Sequence, residues 1–362
     1  MIKCSRKIIK ITLNYFNHLE SQFEIDSYNY SLPEKLIAQK PLEKRDHSKM
    51  LVLQKSSGNI VHDFFYNIEK YLLRSDMLVV NESKVIKCRL EGIKEPTGAK
   101  IECFVLKKMP GYDKNACCVL LKPAKRLKNG DKVFFGKYFL EVADKQDFGK
   151  AIAIFCCDPD IVMQKHGKIP LPPYIKNTNI MDERYQTVYA ERQGSAAAPT
   201  AGLHFTQNII NRLSLQGIKF AKLSLDIGLD TFRPIASKDI RNHDIHKENY
   251  FVLKSEALKI EKARKMGERI IAVGTTAARV LETVTDGDGR ISYGEGSTGL
   301  YIYPGYAFKA VDGLLTNFHL PGSSLLVMVS AFAGRKNILN AYKEAIKKNY
   351  RFFSFGDCML II

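Results

Sequence analysis

Arg269-Ile-Ile-Ala-Val-Gly-Thr-Thr-Ala-Ala-Arg-Val-Leu-Glu-Thr-Val284 decides the fold class. Arg269 to Val273 is a short apolar run rich in β-branched residues, which reads as a strand covered on both faces. Gly274-Thr-Thr276 then turns the chain directly into a helix from Ala277 to Val284. A buried strand, a tight turn and a helix start are the unit of an α/β domain, whose ligands gather at the carboxyl ends of the strands. Arg279 lies one turn into that helix, where it can meet a carboxylate or a phosphate. The Gly-x-Gly-x-x-Gly spacing is absent, so a dinucleotide-binding fold is not indicated.

The same alternation extends outward. Thr206 caps a helix with Ile209, Ile210 and Leu213 on one face, and Gly217 ends it. A strand from Ile218 to Ile227 follows. Ser255 opens a further helix that closes at Gly267, and Lys336 to Lys348 forms another with Ile338, Ala341, Tyr342, Ala345 and Ile346 on one stripe. The Gly- and Asp-rich stretch from Thr285 to Ser297 reads as a mobile loop. Nearer the N-terminus, Ser31-Leu-Pro-Glu34 is a capping box for a short helix ended by Pro41, and Met50 to Leu53 is a strand. From about Leu78 to Phe155 the character changes to short β-rich runs separated by turns, without helices, which suggests a small barrel or sandwich. The expected architecture is an α/β main domain with an inserted all-β, barrel-like domain. Residues 25–54 and 161–362 make up the former, residues 55–160 the latter, and residues 1–24 are an extension.

Composition bounds the function. The 362 residues hold 55 Lys and Arg against 38 Asp and Glu, a net charge of +17. That excess fits a polyanionic partner through counterion release, and it also fits a solvated lysine-rich surface. No apolar run approaches the roughly 20 residues of a membrane-spanning helix. Among eight cysteines there is no Cys-x-x-Cys; Cys117–Cys118 and Cys156–Cys157 are adjacent in strand-like runs and point to opposite faces. They read as reduced core residues of a cytoplasmic protein.

Several segments carry chemistry-bearing residues. Pro199-Thr-Ala-Gly-Leu-His-Phe-Thr206 places a glycine turn and His204 just before a helix N-terminus, where backbone N–H groups attract anions and an imidazole can exchange a proton. An ordinary helix entry with a hydrogen-bonded histidine has the same pattern. His243-x-x-His246-x-Glu248 resembles a metal set but lacks further ligands at recognisable spacing, so a polar cluster without metal is expected. Thr316-Asn-Phe-His-Leu-Pro321 ends a strand with two side chains able to hydrogen-bond a base or ribose. Phe355-Gly-Asp357 sets a carboxylate beside a glycine.

Taken in order, stretches across residues 26 to 362 resemble the S-adenosylmethionine:tRNA ribosyltransferase-isomerase family. They include Leu32-Pro-Glu-Lys-Leu-Ile-Ala-Gln39, Pro41-Leu-Glu-Lys-Arg-Asp46, Leu171-Pro-Pro-Tyr-Ile175, Arg184-Tyr-Gln-Thr-Val-Tyr-Ala190 and Ala198-Pro-Thr-Ala-Gly-Leu-His-Phe-Thr206. Val273-Gly-Thr-Thr276, Tyr303-Pro-Gly-Tyr306, Thr316 to Pro321, Ser330-Ala-Phe-Ala-Gly334 and Tyr350-Arg-Phe-Phe-Ser354 continue the match.

The resemblance implies a cytoplasmic monomer with S-adenosylmethionine as ribosyl donor and no metal. It also implies tRNA carrying 7-aminomethyl-7-deazaguanine at the wobble position as acceptor. The implied products are epoxyqueuosine-tRNA, adenine and methionine. The sulfonium acidifies the neighbouring 5′ C–H, a base takes that proton and adenine leaves. The aminomethyl nitrogen then adds to the sugar, and ring rearrangement expels methionine. On this reading His204 is the base or acid, with Asp357 or Glu248 as its partner carboxylate. Arg279 or a helix N-terminus takes the methionine carboxylate, and Asn317 and His319 contact ligand. Pro199, Thr200, Gly202, Arg184, Tyr185, Gly274, Thr275 and Thr276 complete the expected binding set.

Where the family's Leu-His-Val-Gly and Gly-Thr-Phe are expected, this chain has Leu225-Asp-Ile-Gly228 and Asp230-Thr-Phe232. Asp226 thus stands for a histidine, in a position expected to meet His204 at one sheet edge. That substitution keeps open a catalytically lapsed tRNA-binding relative. A methyltransferase is disfavoured, because no Gly-x-Gly loop follows an early strand.

Overall fold

The computed structural model describes residues 22–177, 181–228 and 234–362. Asp230 therefore lies outside the described residues. The chain forms two compact units. One comprises residues up to Lys84, Pro172–Arg192 and Ala198–Ile362; the other comprises Val85–Leu171 and Gln193–Ala197.

The first unit is built on a nine-stranded mixed sheet. Its order is Gly294–Thr298, Glu248–Val252, Lys219–Leu225, Met77–Asn81, Ile270–Val273, Gly313–Asn317, Cys358–Ile361, Lys49–Leu53 and Ile60–Phe64. The four strands from Lys219–Leu225 to Gly313–Asn317 run parallel. Buried residues of Met77–Asn81 and Ile270–Val273 supply both cores, one on each face of the sheet. Arg269 pins the starts of these two strands together, its Nε and Nη2 donating to the two oxygens of buried Asp76 at 2.8 and 2.6 Å. Such a fork on a carboxylate fixes register as well as charge.

Helices cover the faces. The Thr206 hydroxyl accepts from Ile209 N at 3.2 Å and caps Gln207–Leu215, an interaction worth about 1 kcal/mol. Lys254–Lys265 starts one residue before Ser255, with no side-chain cap. Ser323 caps Ser324–Ala333, and Arg335–Lys347 buries Ile338, Ala341, Tyr342 and Ala345. The expected helix after Ser31 is only a 3-10 turn, Glu34–Leu36, without a capping hydrogen bond, since Pro33 and not Ser31 precedes it. The stretch read as a mobile loop is tied by Asp286, whose Oδ1 accepts from Asp288 N and Arg290 N, and it runs into Gly294–Thr298.

The second unit holds a closed six-stranded antiparallel barrel, ordered Lys150–Phe155, Ala116–Lys122, Ala99–Lys108, Arg89–Lys94, Lys132–Phe135 and Tyr138–Lys145. Its limits differ from the expected 55–160. The run Leu78 to Asn81, read as a barrel strand, is fully buried at the centre of the main sheet. Barrel strands alternate in burial, as Lys150–Phe155 does, whereas a central parallel strand is covered on both faces. Cys117 is buried inside the barrel, but Cys156 follows the last strand and is exposed, so it is not a core residue.

Candidate active site

The ends of the parallel strands and the turns after them enclose a pocket of about 660 Å³, mouth included. Four segments distant in sequence supply most of its wall: Ala198–Ala201, Gly274–Thr276, Thr316–Leu320 and Phe353–Ser354. Gly274 has φ +92°, a conformation open to glycine, which swings the chain from strand Ile270–Val273 into helix Thr275–Val284. The first amides of that helix lack intrahelical acceptors and therefore carry partial positive charge at the pocket wall. The hydroxyl of Thr276, also in the wall, is buried with no hydrogen-bond partner. Phe353 holds φ +70°, unusual for a bulky residue, and packs on Tyr174 with ring centres 4.8 Å apart. Tyr174 in turn shares a hydrogen bond with Ser354 at 2.6 Å.

Asn317 is the polar centre of the wall. Its Oδ1 accepts from the Thr200 hydroxyl at 2.9 Å, and its Nδ2 donates to Phe353 O at 3.4 Å. The same Nδ2 lies 3.3 Å from His204 Nε2, while His204 Nδ1 lies 2.7 Å from Ser48 Oγ. An amide nitrogen only donates, so Nε2 is the acceptor and the ring hydrogen sits on Nδ1, facing Ser48. The Ser48 hydroxyl passes its own hydrogen to Arg45 O at 3.4 Å. Burial, aided by the charges of Arg351 and Arg45, pushes the His204 pKa down to about 3, so the ring is neutral. A helix dipole is not needed to explain it. His319 lines the pocket, shares a hydrogen bond with Thr316 Oγ1 at 2.7 Å through Nε2, and is likewise pushed to about 3 by burial.

Of the expected site residues, Pro199, Thr200, Gly274, Thr275, Thr276, Asn317 and His319 come together in the wall. His204 stands behind it, touching Asn317. Gly202 serves packing, because a Cβ there would fall 2.0 Å from Tyr189 Oη. Tyr185 is buried against Phe355, and Arg184 donates to the carbonyls of Glu43 and Leu42.

None of the expected carboxylates lines the pocket. Asp357 is buried, its oxygens accepting from Lys49 N at 2.9 Å and Arg351 N at 2.7 Å, and burial pushes its pKa up. Glu248 pairs with Arg279 Nη1 and accepts from Gly228 N at 2.9 Å, while Arg279 Nη2 is buried without a hydrogen-bond partner. Arg279 also donates to Leu300 O at 3.1 Å. Asp226 does not meet His204. Its electrostatic neighbours are Arg192, Glu248 and Glu295, on the antiparallel side of the sheet. That side is reached by strand Glu248–Val252, whose order no sequence period reveals.

His243 packs its ring on Tyr301, and among the described residues no group of three His, Cys, Asp or Glu could hold a metal ion. No helix of the described residues is long and apolar enough to cross a membrane. Sequence reasoning missed Ser48, Tyr174, Thr316 and Ser354 as part of the site. All but Ser48 fall inside the quoted family stretches, and Ser48 lies two residues beyond one.

Comparison with known proteins identifies the family. A sequence model of the family described as "Queuosine biosynthesis protein" matches residues 25–361. The S-adenosylmethionine:tRNA ribosyltransferase-isomerase of Thermoanaerobacter sp. is 50% identical over 339 residues, covering 92% of this chain and 98% of its own length. The enzyme of the same name from Staphylococcus haemolyticus is 48% identical, covering 93% and 99%. The crystal structure of S-adenosylmethionine tRNA ribosyltransferase from Thermotoga maritima is 34% identical with a TM-score of 0.54, and covers 93% of this chain and all of that one. A family match running from residue 25 almost to the last residue, over segments that converge on one pocket, shows that the chain belongs to the family of queuosine biosynthesis proteins.

Proposed function

We propose that this chain moves the ribosyl unit of S-adenosylmethionine onto 7-aminomethyl-7-deazaguanine at the wobble position of tRNA. It isomerises that unit to epoxyqueuosine as adenine and methionine leave. Ribosyl transfer and isomerisation in queuosine biosynthesis is the activity of its family. The observation that carries the reading is convergence: the family stretches around Thr200, Thr275, Asn317 and Phe353 wall a single pocket.

The residues present fit the donor. The open amides of Thr275 and Thr276 suit the methionine carboxylate, whereas Arg279, paired with Glu248, does not line the pocket. The unpartnered Thr276 hydroxyl and the Thr200–Asn317 pair give hydrogen bonds to ribose or adenine. His319 is the imidazole of the wall, held by Thr316 Oγ1 and kept neutral by burial, which suits it to hydrogen-bond the ligand. His204 holds Asn317 in place from behind.

Product analysis tests the reading directly. The protein, S-adenosylmethionine and precursor-bearing tRNA are mixed, and the small products are identified. Equal amounts of adenine and methionine, formed only with that tRNA, are expected. S-adenosylhomocysteine would falsify the reading.

A further inference from the structure

Three guanidinium groups converge on the chain between Lys40 and Arg45. Arg45 donates to Gln186 O at 3.0 Å and Glu183 O at 3.4 Å. Arg184, between those two carbonyls in sequence, donates back to Glu43 O at 3.1 Å and to Leu42 O. Arg351 donates to Lys40 O. Carbonyl acceptors take only part of the donor set and leave the charges in place.

Among the described residues, none of the three forms an ion pair with a carboxylate. The acid within electrostatic reach of Arg351 is Asp357, which accepts from two backbone amides and is pushed toward its neutral form by burial. Burial and then the charge of Arg184 lower the Arg45 pKa, so the two cations feel each other. Arg184 Nε and Arg351 Nη1 are buried without an acceptor. Clustering like charges in this way is costly unless an anion completes the set.

The location narrows the anion. Arg351 and Arg45 both act on His204, so the cluster adjoins the site. None of the three lines the pocket itself, which places them outside the volume available to the donor. Exposed Lys40 and Lys44 lie on the same segment, together with Glu43 and Asp46. Three cations exceed what the zwitterionic end of an amino acid requires, whereas a nucleic-acid strand offers one negative charge per nucleotide. The planar fork of arginine matches phosphate oxygens two at a time.

We propose that Arg45, Arg184 and Arg351 hold the phosphodiester backbone of the tRNA at the nucleotides flanking the one that enters the pocket. This rests on the reading of the chain as a tRNA-modifying enzyme. The contacts position the strand and carry no sequence information.

The test is a binding titration of a synthetic anticodon stem-loop across a range of salt, without S-adenosylmethionine and without turnover. Arg351→Gln and Arg45→Gln should each weaken binding several-fold and make the log Kd against log salt slope shallower by about 1. An unchanged slope overturns the proposal, and so does a wild-type protein that fails to bind the stem-loop at low salt.

A second arm leaves the protein intact and guards against unfolded variants. Stem-loops carrying one neutral methylphosphonate on either side of the wobble nucleotide should bind wild type more weakly. That loss should not add to the loss in Arg351→Gln; full additivity, or no loss, overturns the assignment. S-adenosylmethionine alone should bind Arg351→Gln as it binds wild type; a selective loss would give the cluster to the methionine carboxylate instead. Failure of the enzyme reading appears separately, as stem-loop binding with the expected slope and no adenine release.

Discussion

His204 Nδ1 lies 2.7 Å from Ser48 Oγ, a bond between residues 156 positions apart in the chain. It fixes the tautomer that lets Nε2 accept from Asn317, so the ring acts on the pocket through that amide. His204→Ala is expected to lower kcat by roughly tenfold, the effect of one lost hydrogen bond of about 1.4 kcal/mol on the placing of Asn317, with tRNA affinity nearly unchanged. Ser48→Ala should have a smaller effect of the same kind, because it frees the ring to rotate. Wild-type turnover by His204→Ala would reduce the histidine to packing.

The two buried histidines predict an acid limit to stability. Both have folded pKa values lowered from about 6.5 to about 3, so the unfolded chain binds their protons and the folded chain does not. Their stabilising contribution is present above pH 6.5 and is lost as pH falls toward 3. The melting temperature of wild type should therefore drop steeply below pH 6. His319→Asn should flatten that drop, as read by thermal melts at pH 5 and pH 8; equal pH dependence would mean that the rings are protonated in the folded state.

Arg279 and Glu248 form an ion pair with side chains only 6% and 8% exposed. Removing one member strands a buried charge, a loss of about 3–5 kcal/mol. Glu248→Ala should thus destabilise strongly, and Arg279→Met in the same chain should restore part of the loss. Denaturant titration checks both, and a mild Glu248→Ala would show that solvent reaches Arg279.

Deleting residues 1–24, which the sequence suggested to be an extension, should lower the melting temperature by a few degrees. Phe23 packs on Tyr303 and lies under the Arg241 guanidinium at 4.4 Å. Its carbonyl also accepts from Ile240 N at 2.8 Å, and Glu24 bridges to Asp239. Termini contribute little unless docked, and these residues are docked. An unchanged melting temperature after the deletion would show that these ties contribute nothing.

What could be read from the sequence follows the range of the interactions. Thr206, Gly217 and Gly274 act on the backbone within a few residues, so the helix they start or end was legible. The run Leu78 to Asn81 was misassigned because a short apolar stretch has the same appearance in a barrel and at the centre of a parallel sheet. Asp226 was expected at His204 because one helix and one strand separate them in sequence. The sheet, however, sets strand Glu248–Val252 beside Asp226, and pairing order across the chain leaves no local mark. The wall residues Thr200, Thr275, Asn317 and His319 were legible from the strand ends and helix entries that carry them, and the family stretches joined them into one set.

Asp226 gives the last prediction, because it separates charge from chemistry. Its amide donates to Asn249 O at 2.9 Å, and its carboxyl pKa is raised by burial, opposed by Arg192 and raised further by Glu248 and Glu295. A folded pKa above the unfolded value near 3.9 means that folding favours the proton. The stabilising contribution is complete below pH 3.9 and is lost as pH rises through the folded pKa. At neutral pH the carboxylate is a burden on the fold. Asp226→Asn should therefore melt at a higher temperature than wild type at pH 8, with the gap closing toward pH 4. Asp226→His puts an imidazole at this buried position, beside Arg192, Glu248 and Glu295, where burial and Arg192 favour its neutral form and where the family resemblance implies a histidine. It should fold as well as Asp226→Asn and release adenine at least as fast as wild type. Slower release by Asp226→His, with Asp226→Asn equally slow, would show that this carboxylate itself serves the reaction.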